Sequence, residues 1–451
     1  MFPVTRTSTV GENQRRRQKL GLEGGLKAVS GIKRRGRPKI GLDEFMSIAE
    51  RFGFSSSVRR RMRSMLRKED MGTGPFLANY YSGLKETRVQ AFERTARKVF
   101  GSRYAIGVSS GTGALHAAFV AAGVGPGTEV ILPAIGFFAT ASAVVICGGV
   151  PVFCDVDDSL SMDPAKIEKL VTPRTVAISP THVMGSVCDM GAIMRVARRH
   201  RLKVVEDCAQ SCGGEFRGRL VGTFGDLGCF SISSYKIVGG GEGGLLLTDK
   251  LRLWERASQL AECGGLWRPN RFAPPRYKGE LFCGTNYRMS ELEAAVDVVQ
   301  LRKMKAAVNR FRRVKRRILD RLKKYRDITP QKLNDPDGEV GYLLRFYPET
   351  FQLGARIVTA LEAQGIGCSM RGPHAGPDWH LYSYMYPVKL RGDAVNCNRG
   401  DCPVADDLFD RMITVSLNQW LSPRDCDSIA RGINKVLSAC CTEDPGATPW
   451  H

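Results

Sequence analysis

No stretch of this 451-residue chain approaches the roughly 20 consecutive apolar residues that a membrane-spanning helix needs, although 43% of its residues are hydrophobic. Nor do the first eighteen residues, MFPVTRTSTVGENQRRRQ, hold the apolar core of a secretory signal, so a cytoplasmic location is expected. Zinc-like CxxC pairs are missing too. The fourteen cysteines are scattered, with Cys208/Cys212, Cys397/Cys402 and the adjacent Cys440–Cys441 the closest spacings. In a chain this long that pattern favours reduced, packed thiols over a disulfide framework, and no metal site is expected. Acid is in short supply: 45 Asp and Glu stand against 67 Lys and Arg, for a net charge of +22. Residues 1–70 alone carry 18 Lys/Arg and 7 Asp/Glu, half of that excess.

The basic arm, residues 1–41, has many glycines and few large apolar side chains. Such composition cannot bury enough surface to fold alone, so disorder is expected there. Within it, Lys33–Lys39 (KRRGRPK) resembles an AT-hook, whose Arg-Gly-Arg-Pro core lies in the A·T minor groove. The alternative is a solvated basic tail. From Leu42 to Leu66 the apolar residues take helical spacing, which predicts two short helices within a lead-in over 42–84.

Next come strands and helices in alternation. Tyr104–Val108, Glu129–Pro133, Pro151–Cys154, Ala177–Ser179 and Lys203–Glu206 read as strands. Glu86–Phe100, Gly113–Ala122, Ala139–Cys147 and Met190–His200 read as helices. This order predicts an α/β fold with a mainly parallel sheet over 85–305. Ligands of such sheets bind beyond the carboxyl ends of the strands, where Ser110–Thr112, Phe137, Asp207 and Gln210 fall. Arg302–Asp327 reads as a long basic connector helix. Residues 306–441 read as a smaller α+β domain, and Thr442–His451 as a fraying tail.

The most informative stretch is CFSISSYKIVGGGEGG, 229–244. An apolar run ends in serines, one lysine follows, and then comes glycine too dense for a regular strand or helix. Lys236 is thereby placed like a buried amine. Burial lowers a lysine pKa, and a neutral amine can form a Schiff base. A solvated lysine in a glycine loop is the plainer reading. Upstream, Val108–His116 (VSSGTGALH) is a strand, a hydroxyl-rich turn and a helix start, a good anion cradle.

Six segments in order, SSGTGALH (109–116), PAIGFFAT (133–140), THVMG (181–185), EDCAQSCGG (206–214), FSISSYKIVGGGEGG (230–244) and GTNYRMSELEAA (284–295), make the chain resemble the DegT/DnrJ/EryC1/StrS aminotransferases over roughly residues 75–440. These are pyridoxal-5'-phosphate (PLP) enzymes of fold type I, the aspartate-aminotransferase fold, which mostly aminate keto sugars. The resemblance implies that Lys236 holds PLP as a Schiff base and that Asp207 faces the pyridine nitrogen. Asp207 is otherwise a helix N-cap. It implies that Gln210 touches the phenolic oxygen, otherwise a polar core contact, and that Phe137 stacks on the ring, otherwise a core residue. Gly111, Thr112 and Ser231 would hold the phosphate. Asn286 would reach the phosphate in a neighbouring subunit, implying a homodimer with shared sites. A turn asparagine is the plain alternative.

His182, Arg371, His374 and His380 are substrate-side candidates, although a structural histidine fits position 182 equally well. Ser233-Ser234, Gly239-Gly240 and Gly136 depart from the family's usual His-Pro, Thr-Thr and Thr, departures that bear on pocket shape and substrate. The implied reaction moves an amino group from glutamate or glutamine to a keto sugar, nucleotide-linked or a free sugar acid. The run 335–350 resembles the 8-amino-3,8-dideoxy-octulosonate branch. A PLP-dependent lyase, racemase or decarboxylase, or a PLP-fold regulator whose basic arm binds nucleic acid, are the other readings.

Overall fold

The computed structural model describes residues 9–25, 38–69, 74–75, 77–78 and 84–450, and the chain divides into two compact units, Met1–Phe76 and Leu77–His451. Apart from Pro38 and Lys39, the KRRGRPK motif lies outside the described residues. In the first unit Thr9–Gln18 is a helix, α1, where composition predicts no regular structure. Its described side chains, Gln14–Gln18, are all exposed. Helices α2 (Leu42–Arg51) and α3 (Ser56–Leu66) are the two that the apolar spacing predicts. Glu44 accepts the amide of Gly41 to start α2, and Ser55 caps α3. Arg59–Glu50 (2.6 Å) and Arg63–Asp43 (2.5 Å) ion pairs join them.

The second unit is built on a seven-stranded sheet: β1 (Tyr104–Val108), β2 (Glu129–Pro133), β3 (Val150–Cys154), β4 (Thr175–Ile178), β5 (Lys203–Asp207), β6 (Leu227–Ser231) and β7 (Gly244–Thr248). The spatial order is β1-β7-β6-β5-β4-β2-β3. β7 runs antiparallel to both neighbours and the other six strands share one direction, so the sheet is mainly parallel, as the alternation predicts. Its strands are buried along nearly their whole length because both faces are covered. On one face pack α5 (Gly111–Ala122), α6 (Phe138–Ile146) and α8 (Leu251–Ala261), the last unread in the sequence. On the other lie α4 (Arg88–Phe100), α7 (Met190–His200) and the first half of α9 (Glu291–Leu319).

A second sheet, β8 (Ile328–Pro330), β9 (Leu343–Pro348), β10 (Cys368–Ser369) and β11 (Ile413–Ser416), is antiparallel throughout in the order β8-β9-β11-β10. It shares a core with α10 (Phe351–Ala363) and α12 (Pro423–Cys440). The long helix α9 joins the two cores. Ala294, Val298, Leu301 and Met304 pack in the first, and Val314, Ile318 and Leu319 in the second. It begins eleven residues before the expected start at 302, capped by Ser290, and ends eight before the expected 327. The chain then crosses back. Leu381, Tyr382, Cys402, Leu408 and Phe409 lie in the core of the large sheet, and α11 (Pro403–Arg411) packs there.

The described part of the tail, residues 442–450, is docked. Trp450 is 5% exposed, meets Phe346 edge-on at 5.5 Å and donates its indole N–H to the carbonyl of Lys323 at 2.7 Å. Glu443 bridges Tyr325 in antiparallel fashion. An indole with a satisfied polar end outweighs the entropy that Pro and Gly would otherwise win. Among the described residues no helix is long and apolar enough to cross a membrane.

Candidate active site

The carboxyl ends of the parallel strands converge on one edge of the large sheet, and the sequence places its hydroxyls, acids and glycines there. β1 turns into α5 through Ser110, whose hydroxyl accepts the amide of Gly113 at 3.0 Å. The amides of Gly111 and Thr112, in the first turn of α5, have no partner within the helix and sit at its positive end. Gly111 lies hard against the end of β6: a Cβ there would stand 2.8 Å from the Cβ of Ser231. At the start of β7, a Cβ on Gly244 would collide with the carbonyl oxygen of Ser110. Three backbone segments thus close on one another where only glycine fits. They leave amides and the Ser231 hydroxyl around a site suited to an anion.

Asp207 ends β5 and is 3% exposed. Its two carboxylate oxygens are held separately. Oδ1 accepts the amide of Ala209 at 3.0 Å, and Oδ2 accepts the hydroxyl of Thr140 at 2.6 Å. Thr140 lies in the first turn of α6, one turn beyond Phe137, the residue that caps that helix. Phe137 stays 43% exposed, and its ring faces that of His380 at 5.2 Å. The strand–helix turn is held from outside by 379–381. The amide of Gly136 donates to the carbonyl of His380, and Ile135 bridges Leu381. His380 is in turn bonded through Nδ1 to Asp378 at 2.9 Å.

Lys236 follows β6 in a tight turn, its amide donating to the carbonyl of Ser233 at 2.9 Å. The side chain is half-buried. Burial pushes its pKa below the ordinary lysine value, against the opposing charge of Asp207. It opens into a cavity of about 470 Å³ whose walls come from both sheets and α9. Gln210 and Cys212 line it from the large sheet, Phe311 from the helix, and Tyr342, Ser416 and Gln419 from the small sheet side. Gln210 is anchored, its Oε1 accepting the amide of Met184 at 2.8 Å and its carbonyl accepting the hydroxyl of Tyr342 at 2.9 Å.

The structure therefore groups Gly111, Thr112 and Ser231, joins Asp207 to Phe137 through Thr140, and brings Lys236 and Gln210 to one cavity. It does not bring His182 there. That imidazole is fully buried, with Nδ1 accepting the amide of Cys188 at 3.1 Å and Nε2 facing Glu206 at 3.1 Å. Both nitrogens are used within the fold, and the side chain does not line the cavity. His182, Glu206 and Cys208 cluster closely enough to hold a metal. Yet Glu206 already accepts the amides of Gly222, Phe224 and Gly225, which fixes the loop before β6.

Arg371 is committed to Asp410 at 2.8 Å and to the carbonyl of Gly376, and His374 is exposed; neither lines the cavity. Asn286 is exposed, and its side chain accepts the amide of Arg288 at 3.3 Å. Sequence reasoning missed Thr140, Tyr342, Ser416 and Gln419. For Thr140 a signal existed, since it stands one helical turn after Phe137 in PAIGFFAT.

A model of the DegT/DnrJ/EryC1/StrS aminotransferase family matches residues 80–434. The chain is 34% identical over 352 residues to a UDP-N-acetyl-3-dehydro-alpha-D-glucosamine 3-aminotransferase of Acidithiobacillus ferrooxidans, covering 77% of this chain and 88% of that one. It is 34% identical over 371 residues to an L-glutamine:2-deoxy-scyllo-inosose aminotransferase of Micromonospora echinospora, covering 77% and 87%. Among solved structures, an aminotransferase from Psychrobacter cryohalolentis superposes with a TM-score of 0.68 at 28% identity, covering 80% of this chain and 93% of that one.

Proposed function

The chain belongs to the DegT/DnrJ/EryC1/StrS aminotransferase family, and from that premise we propose that it uses PLP to move an amino group from glutamate or glutamine to the keto group of a sugar or cyclitol. The observation that carries this reading is Lys236, an amine of lowered pKa that shares a strand-end site with Asp207. Relatives named for a UDP-linked keto sugar and for a keto cyclitol supply the substrate class. A free sugar acid remains within it.

The residues present fit the cofactor. Gly111, Ser231 and Gly244 bring three backbone segments together at the N-terminus of α5, whose first-turn amides suit a phosphate, and a Cβ on either glycine would push them apart. Asp207 keeps lone pairs beyond those given to Ala209 and Thr140, enough to hold a protonated pyridine nitrogen. Phe137 offers an exposed ring face, and Gln210 lies beside the lysine. When bound, PLP supplies an electron sink for a carbanion next to nitrogen.

The chain's own work is positioning and proton transfer. Lys236 would bind the cofactor covalently, its lowered pKa supplying the neutral amine. Freed by the incoming donor, the same amine would take the proton from the donor's Cα and return one to the acceptor carbon. Thr140 and the amide of Ala209 hold the Asp207 carboxylate in one orientation, so that its charge acts at the ring nitrogen. Tyr342, Ser416 and Gln419 face the lysine across the cavity and would set which acceptor fits. Asn286, exposed in the single chain, would complete the phosphate site of a second subunit.

The test is a half-reaction. Glutamate or glutamine added to holoenzyme should bleach the visible cofactor band, and a panel of keto sugars and cyclitols should restore it. No bleaching by any amino acid would overturn the reading. Mixing Lys236→Ala with Asn286→Ala chains should recover part of the activity if sites are shared, whereas a fully active monomer in sedimentation would refute the dimer.

A further inference from the structure

Four residues beyond Lys236 the chain enters the run Gly240-Gly241-Glu242-Gly243, and beneath it lie two carboxyl groups that the reaction does not use. Glu293 and Asp297 stand one turn apart on α9 and therefore share a face. Asp297 is 0% exposed, and neither of its oxygens has a hydrogen-bond donor. Oε1 of Glu293 is likewise buried without one.

The glycines rest directly on these oxygens. A Cβ on Gly240 would collide with Oδ1 of Asp297 and stand 3.1 Å from Oε1 of Glu293. On Gly241 it would stand 2.8 Å from Oε2 of Glu293, and on Gly243 3.4 Å from Oδ2 of Asp297. The glycine run is the surface that fits over the pair. Among the described residues no lysine, arginine or histidine forms an ion pair with either acid. The loop itself turns the backbone amide of Glu242 toward Glu293 and adds that residue's negative charge. From α4, the nearest element on that side, the backbone amides of Arg88 and Val89 are taken by Glu291. Met289, Val296 and Ile232 are the apolar neighbours of the same glycines.

Two bare carboxylates in such a place would repel each other and lack solvation, whereas one proton between them removes the repulsion and leaves a single charge to be solvated. We propose that Asp297 and Glu293 share a single proton beneath the glycine loop and so act as a positioning pair that holds the loop, and with it Lys236, in its working place. Loss of that proton to hydroxide leaves two facing charges and lifts the loop. The part concerning Lys236 rests on its proposed role; the shared proton does not. Burial, with the charge of Glu293 added, pushes the Asp297 carboxyl up to about 8, which sets the window. The folded chain keeps a proton that the unfolded chain releases near pH 4, so the pair costs stability increasingly as pH rises from there to about 8.

The experiment follows holoenzyme stability and turnover from pH 5 to 9.5 in wild type, Asp297→Asn and Glu293→Gln. Asparagine keeps the shape and a permanent donor; glutamine lets Asp297 ionise without a facing charge. The thermal midpoint of each variant, relative to wild type, should climb between pH 5 and 8 and then level off. A group titrating near 8 is about 90% protonated at pH 7 and about 10% at pH 9. The wild-type turnover ratio, pH 9 to pH 7, should therefore lie about tenfold below that of either variant.

Midpoint curves parallel to wild type in both variants would overturn the shared proton. Flattened midpoints with an unchanged turnover ratio would overturn the positioning of Lys236. A wild-type midpoint raised by added K⁺ or Mg²⁺, with no rise in Asp297→Asn, would also overturn the proposal, because a cation would then settle the pair. A Lys236→Ala chain that stays yellow and active would instead sink the lysine assignment and leave the midpoint result standing.

Discussion

At the scale of single residues, the hydroxyl of Thr140 holds more than its own side chain. It donates to the buried carboxylate of Asp207 at 2.6 Å, and a bond to a charged group is worth about 1.5–3 kcal/mol. Thr140→Val keeps the shape and removes the donor. The Asp207 carboxylate then loses one of the two groups that orient it, so cofactor affinity should fall. Thr140→Ser should restore it. Unchanged cofactor affinity in the valine variant would show that the bond is idle. Most residues at this scale were legible because strand ends are: Ser110, Phe137, Asp207 and Lys236 each lie at or within a few residues of the end of a buried strand. His182 also follows a strand, yet it turns inward. Its destiny was set by Cys188 and Glu206, and nothing in its own segment shows that those groups come to meet it.

Among the elements, the five strands read for the large sheet agree with the structure to within one or two residues, since both their faces are buried, whereas β8 and β10 went unread. Helix α9 was misplaced because its first part, Glu291–Leu301, carries acids and little of the basic character that marks the rest. The basic run was read as the helix, when it is only the portion that leaves the large core. Helices α8 and α11 went unread for want of an outstanding motif. The tightest joint is between β7 and the β1–α5 turn, where Gly244 meets the carbonyl of Ser110. Gly244→Ala should force the two apart, costing about 1–3 kcal/mol as overpacked sites do. The measurable results are a lower thermal midpoint and weaker binding of inorganic phosphate by the apoprotein. A variant that binds phosphate as wild type does would place the cradle elsewhere.

For the whole molecule, the residues that carry the proposed chemistry all lie in the Leu77–His451 unit. Deleting residues 1–40 should leave turnover, the cofactor spectrum and the thermal midpoint within about twofold or a degree or two of the full chain, since a charge-rich, glycine-containing arm contributes little stability. A large drop in turnover would show that the arm serves the active site. A gel-shift series with an A·T-rich duplex reads the other property of the arm: binding present only in the full chain and falling steeply with salt would mark phosphate contacts. The crossing-back of 381–412 has a consequence for how the protein is made. All seven strands of the large sheet are complete by Thr248, but part of their covering is not synthesised until Phe409 emerges, some 160 residues later. At roughly 5–20 residues per second the ribosome leaves that apolar face open for about 8–30 seconds. The large sheet is thus a client for chaperones during translation, and premature stops between 250 and 400 should yield insoluble fragments, not a small working enzyme.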